Sequence, residues 1–166
     1  MQINLVTCFI AAGVVATFKD TLDEMVLLAA FLPVLAGQSG NTGCQALAVT
    51  LRGVTLGDLS AGDEGSLVLK EGILGLVNGM LVGITAALGM FAYATYSDEP
   101  NALTLAFVVW ISMVISCVVS GISGAMIPLI LRKFGADPAT ASSIFLTTAT
   151  DVVSMGVFLG LASSLL

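Results

Sequence analysis

The sequence predicts an all-α integral membrane protein with five transmembrane helices per subunit, the second of them broken near its middle. Three observations predict it. Of the 166 residues, 57% are hydrophobic and 10% charged, with a mean hydropathy of +1.06, a composition far from that of water-soluble domains. Apolar runs recur at about 1–18, 25–51, 72–96, 102–131 and 139–166, each close to or above the roughly 20 residues that a helix needs to cross a bilayer. The charged residues fall almost wholly between these runs. The chain therefore reads as one transmembrane domain over 1–166 with no soluble regulatory domain, a multi-pass protein of the cell membrane (plasma or inner) with the lipid bilayer as its first partner.

The first run, Met1 to Phe18, is at the lower limit for a span. It lacks the basic start and small-residue cleavage site of a signal peptide, so it reads as a helix that stays. Lys19 to Glu24 is a short charged turn. The second run contains Pro33-Val34-Leu35-Ala36-Gly37-Gln38-Ser39-Gly40-Asn41-Thr42-Gly43-Cys44-Gln45. Three glycines, a proline and several uncharged polar side chains at this depth predict a locally unwound helix, which lipid tolerates only where it lines a cavity or is buried in protein. Asn41, Cys44 and Gln45 are therefore expected to line a pore.

Arg52 to Glu71 reads as a polar connection, with Asp58, Asp63, Glu64 and Glu71 as its solvated acids. The third span ends at Tyr93 and Tyr96, rings suited to the membrane interface. Ser97 to Asn101 is an acidic turn. The fourth span carries Ser112, Ser116, Ser120 and Gly124 at four-residue spacing, a stripe that lets another helix approach closely. Asp137-Pro138 is an N-cap and first-turn pair for the fifth helix. With the N-terminus cytoplasmic, Arg52, Lys70, Arg132 and Lys133 lie inside and only Lys19 outside, as the positive-inside rule demands. The C-terminus is then external.

Histidine is absent, and Cys8, Cys44 and Cys117 sit in apolar surroundings, which argues against a zinc site or a disulfide framework. An enzyme is not expected, since the membrane interior offers no nucleophile and base pair. The formal charge of -6 implies no nucleic-acid partner.

Asp151 stands apart. It lies in the middle of the last apolar run, where a carboxylate costs from about 3 to about 17 kcal/mol unless it meets water, a partner or an ion. Ser143, Thr147 and Asp151 share one helical face at four-residue spacing, with Ser154 three residues further on. This ladder of oxygen, with the uncharged polar groups of the second span, suits hard divalent cations: magnesium first, then manganese or calcium. One carboxylate cannot balance a divalent ion, whereas a two-fold homodimer brings a second Asp151 to the axis. At roughly 6 Å and an effective dielectric near 20, two such charges repel by about 3 kcal/mol, and a bound divalent cation or a shared proton relieves this. The pore is thus expected at the homodimer interface.

The stretch Leu32 to Gln45 with its continuation to Gly53, and the later Thr147-Thr148-Ala149-Thr150-Asp151 with Phe158-Leu159-Gly160-Leu161-Ala162, resemble the transmembrane domain of MgtE-type magnesium channels. The resemblance covers essentially the whole chain. It implies a homodimer whose pore is lined by the second and fifth helices, with Asp151 as the central aspartate, Thr147 one turn before it, and Gly37 and Gly40 offering backbone carbonyls to the metal. Cys44 departs from the pattern, where an asparagine is usual. The family's cytoplasmic sensor modules are expected to be missing from this chain. The resulting expectation is a channel importing magnesium down its electrochemical gradient. Two readings stand beside it: a carrier coupled to sodium or protons, and a structural subunit in which Asp151 is a buried, protonated donor.

Overall fold

The computed structural model describes residues 2–59 and 62–166. Six helices follow one another: α1 Gln2–Thr17, α2 Lys19–Glu24, α3 Val26–Leu56, α4 Glu64–Tyr96, α5 Ala102–Lys133 and α6 Pro138–Leu165. No strand occurs among the described residues. Five helices coincide with the five apolar runs, and α2 is the charged turn. Met1, where the first run begins, and Ser60 and Ala61 of the predicted connection lie outside the described residues. By length and composition α4, α5 and the Ser142–Leu165 part of α6 can cross a membrane, while α1 is a shorter apolar helix.

The expected break in the second span is not there. Helix α3 runs uninterrupted through 31 residues, with Pro33 inside it. A helical glycine costs about 1 kcal/mol against alanine but does not by itself stop a helix, and Gly37, Gly40 and Gly43 all keep negative φ. The hydroxyls among them are satisfied locally: Ser39 Oγ donates to the Ala36 carbonyl at 3.1 Å and Thr42 Oγ1 to the Gln38 carbonyl at 3.1 Å. Such bonds to the preceding turn let polar side chains sit in a continuous helix.

The connection expected over 52–71 is also shorter than predicted. Helix α3 continues past Arg52 and stops at Gly57, whose φ of +73° is the left-handed cap that favours glycine, and α4 begins at Glu64. The charges at 52 and 64–71 therefore ride on helical turns. At the start of α6 the predicted cap is present, Ala139 N donating to Asp137 Oδ1 at 3.0 Å with Pro138 in the first turn.

Helix α5 is the hub, packed on α3, α4 and α6, whereas α1 lies against α6. The stripe Ser112, Ser116, Ser120 and Gly124 is buried as expected. A Cβ at Gly124 would collide with the Gly43 carbonyl oxygen of α3. A second stripe, Gly72, Gly75, Gly79 and Gly83 on α4, escaped the sequence analysis because large apolar residues surround it. It seats α4 on α5: a Cβ at Gly75 would strike the Cys117 carbonyl, and one at Gly79 would lie 2.8 Å from Val114 Cα. These contacts bring the backbones together, which is how helices pack where lipid removes the hydrophobic drive between them.

The bundle is polarised along its axis. Leu28, Leu35, Met90, Ala94, Leu105, Val108, Phe158, Leu159 and Ala162 form an apolar cluster at one end. Towards the other end glycine, serine and threonine join leucine and alanine in the contacts, with Gly43 against Leu146, Ser120 and Thr150. Ile73, Leu81, Ile84 and Leu88 of α4 and Ile3, Val6, Phe9 and Ile10 of α1 point outward and exposed, an apolar surface that suits lipid and not water.

Candidate cation-binding face

Asp151 lies at the midpoint of the 28-residue α6 and is half-buried. Among the described residues no hydrogen bond or ion pair reaches its carboxylate, and none supplies it a counter-charge. The hydroxyls of Thr147, Thr148 and Thr150 around it are turned back onto their own helix. Thr147 Oγ1 lies 3.0 Å from the Ser143 carbonyl and 3.1 Å from that of Ile144, Thr150 Oγ1 donates to the Thr147 carbonyl at 3.0 Å, and Thr148 Oγ1 to that of Ile144 at 2.8 Å. A hydroxyl whose hydrogen is committed inward keeps its lone pairs free for a cation or its water.

Ser143 is exposed and Thr147 half-buried, so both join Asp151 on the accessible side of α6. Ser154 does not. It is fully buried and donates to the Asp151 carbonyl at 3.2 Å, so it faces the interior of its own subunit and lines no open surface. A residue missed by the sequence analysis takes part instead: Asn4 of α1, whose Oδ1 is 3.4 Å from Thr147 Oγ1. Its signal was present as one of two amides, with Gln2, in the first apolar run.

On α3, Gly37, Asn41 and Cys44 share an exposed face, Gln45 is exposed beside it, and Gly40 is half-buried at its edge. The glycines there are unlike Gly43. A Cβ at Gly43 would lie 3.0 Å from Leu146 Cδ1 and 3.3 Å from Thr150 Cγ2, whereas one at Gly37 or Gly40 would meet nothing within 4 Å. Packing inside the subunit thus explains Gly43 alone. Because α3 and α6 run antiparallel, with Gly43 beside Leu146 and Thr150, a rise of about 1.5 Å per residue carries Gly40 to the level of Asp151. In a continuous helix the carbonyls of Gly37 and Gly40 accept intrahelical bonds, yet each keeps a second lone pair.

Among the described residues no group of three or more His, Cys, Asp or Glu side chains could hold a metal ion. The donors present, one carboxylate with hydroxyl, amide and carbonyl oxygens, fit a hard cation that keeps much of its water.

One acid departs from its predicted setting. Glu71, read as a loop residue, sits on α4 and is 5% exposed. It is a second carboxylate within the bundle.

Helices of this length and apolarity, with an oxygen-lined face on one side, define a helical integral membrane protein. The chain belongs to the MgtE family: the family model described as "Divalent cation transporter" matches residues 32–161. It is 32% identical over 152 residues to the magnesium transporter MgtE of Enterococcus faecalis, a match covering 92% of this chain and 32% of the relative. The magnesium transporter MgtE of Bacillus subtilis is 32% identical over 155 residues, 93% of this chain and 33% of the relative. That of Thermus thermophilus is 31% identical over 166 residues, 100% of this chain and 35% of the relative. The chain thus spans about a third of the length of these curated relatives.

Proposed function

We propose that this chain forms the membrane-crossing, ion-conducting part of a magnesium channel, and that α1, α3, α4, α5 and α6 are its five spans. Two copies associate through the open side of α3 and α6, so that both Asp151 carboxylates face one axial path. The N-terminus is cytoplasmic and the C-terminus external. A magnesium ion with most of its water is held at the level of Asp151 by the two carboxylates, while Thr147, Ser143 and the carbonyls of Gly37 and Gly40 receive hydrogen bonds from its water shell. An inside-negative potential of about 100 mV favours entry of a doubly charged ion by about 5 kcal/mol, so import needs no coupled substrate.

The observation that carries this reading is the Asp151 carboxylate, unpaired among the described residues at the midpoint of α6, in a member of a divalent cation transporter family. The test is uptake of magnesium into proteoliposomes under an imposed potential. Asp151→Asn is expected to lower the initial rate at least about tenfold, which is about 1.4 kcal/mol. Flux unchanged in this variant would remove Asp151 from the path, and flux that stops without an opposing sodium or proton gradient would replace the channel by a coupled carrier.

A further inference from the structure

Helices α3 and α4 both pack on α5 and touch each other far less. Between them lies a cavity of about 210 Å³, lined by Thr42, Gln45 and Val49 on one side and by Glu71, Leu74 and Asn78 on the other. The two rows have helical spacing, so each is one face of its helix turned toward the other. The cavity is away from the Asp151 face, which is bounded by α3 and α6. Glu71 is more than nine-tenths buried, and among the described residues no hydrogen bond or ion pair reaches its carboxylate. A carboxylate on a residue that keeps only 5% of its surface accessible, with no partner, is costly to hold charged. The other lining side chains are neutral: Val49 and Leu74 are apolar, while Thr42 offers a hydroxyl oxygen and Gln45 and Asn78 side-chain amide oxygens. Thr42 Oγ1 already directs its hydrogen to the Gln38 carbonyl at 3.1 Å.

We propose that this cavity is a binding site for a monovalent hard cation, sodium, held by the Glu71 carboxylate with oxygens of Thr42, Gln45 and Asn78 and bracing α3 against α4. Charge selects the ion. One carboxylate among neutral oxygens is balanced by a single positive charge, while a divalent ion would leave an unbalanced charge between apolar helices. Size agrees, since a water takes about 30 Å³ and the cavity holds an ion with several waters. Gln45 links the two regions, because it lines this cavity and also borders the exposed face of α3. The proposal stands apart from the reading of the Asp151 face as a pore.

The test is thermal unfolding of the purified protein in detergent, titrated with sodium chloride against choline chloride at equal ionic strength and fixed pH, without divalent ions. Sodium is expected to raise the melting temperature along a saturating curve. Asp151→Asn should keep the response, Glu71→Gln should lose it, and Asn78→Ala should shift its midpoint at least about tenfold upward in sodium. The variant at Asn78 keeps the carboxylate, so the proposal stays testable if Glu71→Gln does not fold. Equal effects of sodium and choline, a full sodium response in Glu71→Gln, an unmoved midpoint in Asn78→Ala, or a response to pH alone would each overturn it.

Discussion

At the scale of single residues, glycines three positions apart on one helix have opposite reasons to be glycine. Gly43 is held between Leu146, Ser120 and Thr150, whereas Gly40 faces open space within its subunit. Overpacking a tight contact costs typically 1–3 kcal/mol. Gly43→Ala is therefore expected to lower thermal stability by about that amount, measured by unfolding in detergent. Gly40→Ala should leave the isolated subunit's stability unchanged or slightly raised and should instead reduce magnesium uptake, because the added methyl lies where an ion or a second subunit would be. The cysteines offer a parallel contrast. Cys117 is buried, while Cys8 and Cys44 are exposed, Cys8 among the outward apolar residues of α1 and Cys44 beside Asn41 and Gln45. Exposure to lipid and exposure to water differ for a charged thiol reagent, which needs aqueous access to a thiolate. Such a reagent should label Cys44 at least about tenfold faster than Cys8 or Cys117, as read by mass spectrometry of peptides from the labelled protein. Fastest labelling at Cys8 would place water on the wrong side of the bundle.

At the scale of elements, the packing of α4 on α5 rests on a row of glycines. Gly79→Ala, which would set a Cβ 2.8 Å from the Val114 backbone, should cost about 1–3 kcal/mol. Gly89→Ala on the same helix, where a Cβ would meet nothing within 4 Å, should be neutral or mildly stabilising, since alanine is the better helix former. Unfolding midpoints of the two variants check this. The positions of the five long elements were legible in the sequence because apolar runs between charges mark helices without reference to their partners. The stripe on α5 was legible because serine interrupts an otherwise apolar run. The stripe on α4 was not, since glycine at three- and four-residue intervals among leucine and isoleucine changes hydropathy little. The course of α3 was misread for a related reason: glycine and polar residues signal a possible break, but whether the helix continues depends on bonds to its own preceding turn and on Gly43 meeting α5 and α6. Asp151 and its row were legible from the cost of a charge in lipid. Glu71 and Ser154 were not, because their surroundings are set by which helices lie opposite, and no single-strand spacing reports that.

At the scale of the whole molecule, the open side of α3 and α6 carries a carboxylate that nothing among the described residues neutralises. In the proposed dimer, pairing two copies there brings like charges together, and their repulsion of about 3 kcal/mol at roughly 6 Å opposes association. A divalent cation between them reverses that sign, so binding of the ion and pairing of subunits are linked: whatever binds the dimer alone stabilises the dimer. Magnesium should accordingly tighten self-association in detergent, lowering the dimer dissociation constant at least about tenfold, or about 1.4 kcal/mol. Asp151→Asn removes both the repulsion and the attraction. That variant should dimerise at least as well as the unmodified protein in the absence of magnesium and gain little when the ion is added. Sedimentation equilibrium at several magnesium concentrations measures both quantities. An association constant that rises equally with magnesium in both proteins would show that the ion acts elsewhere on the surface, and the two aspartates would then have to lie apart rather than across a shared axis.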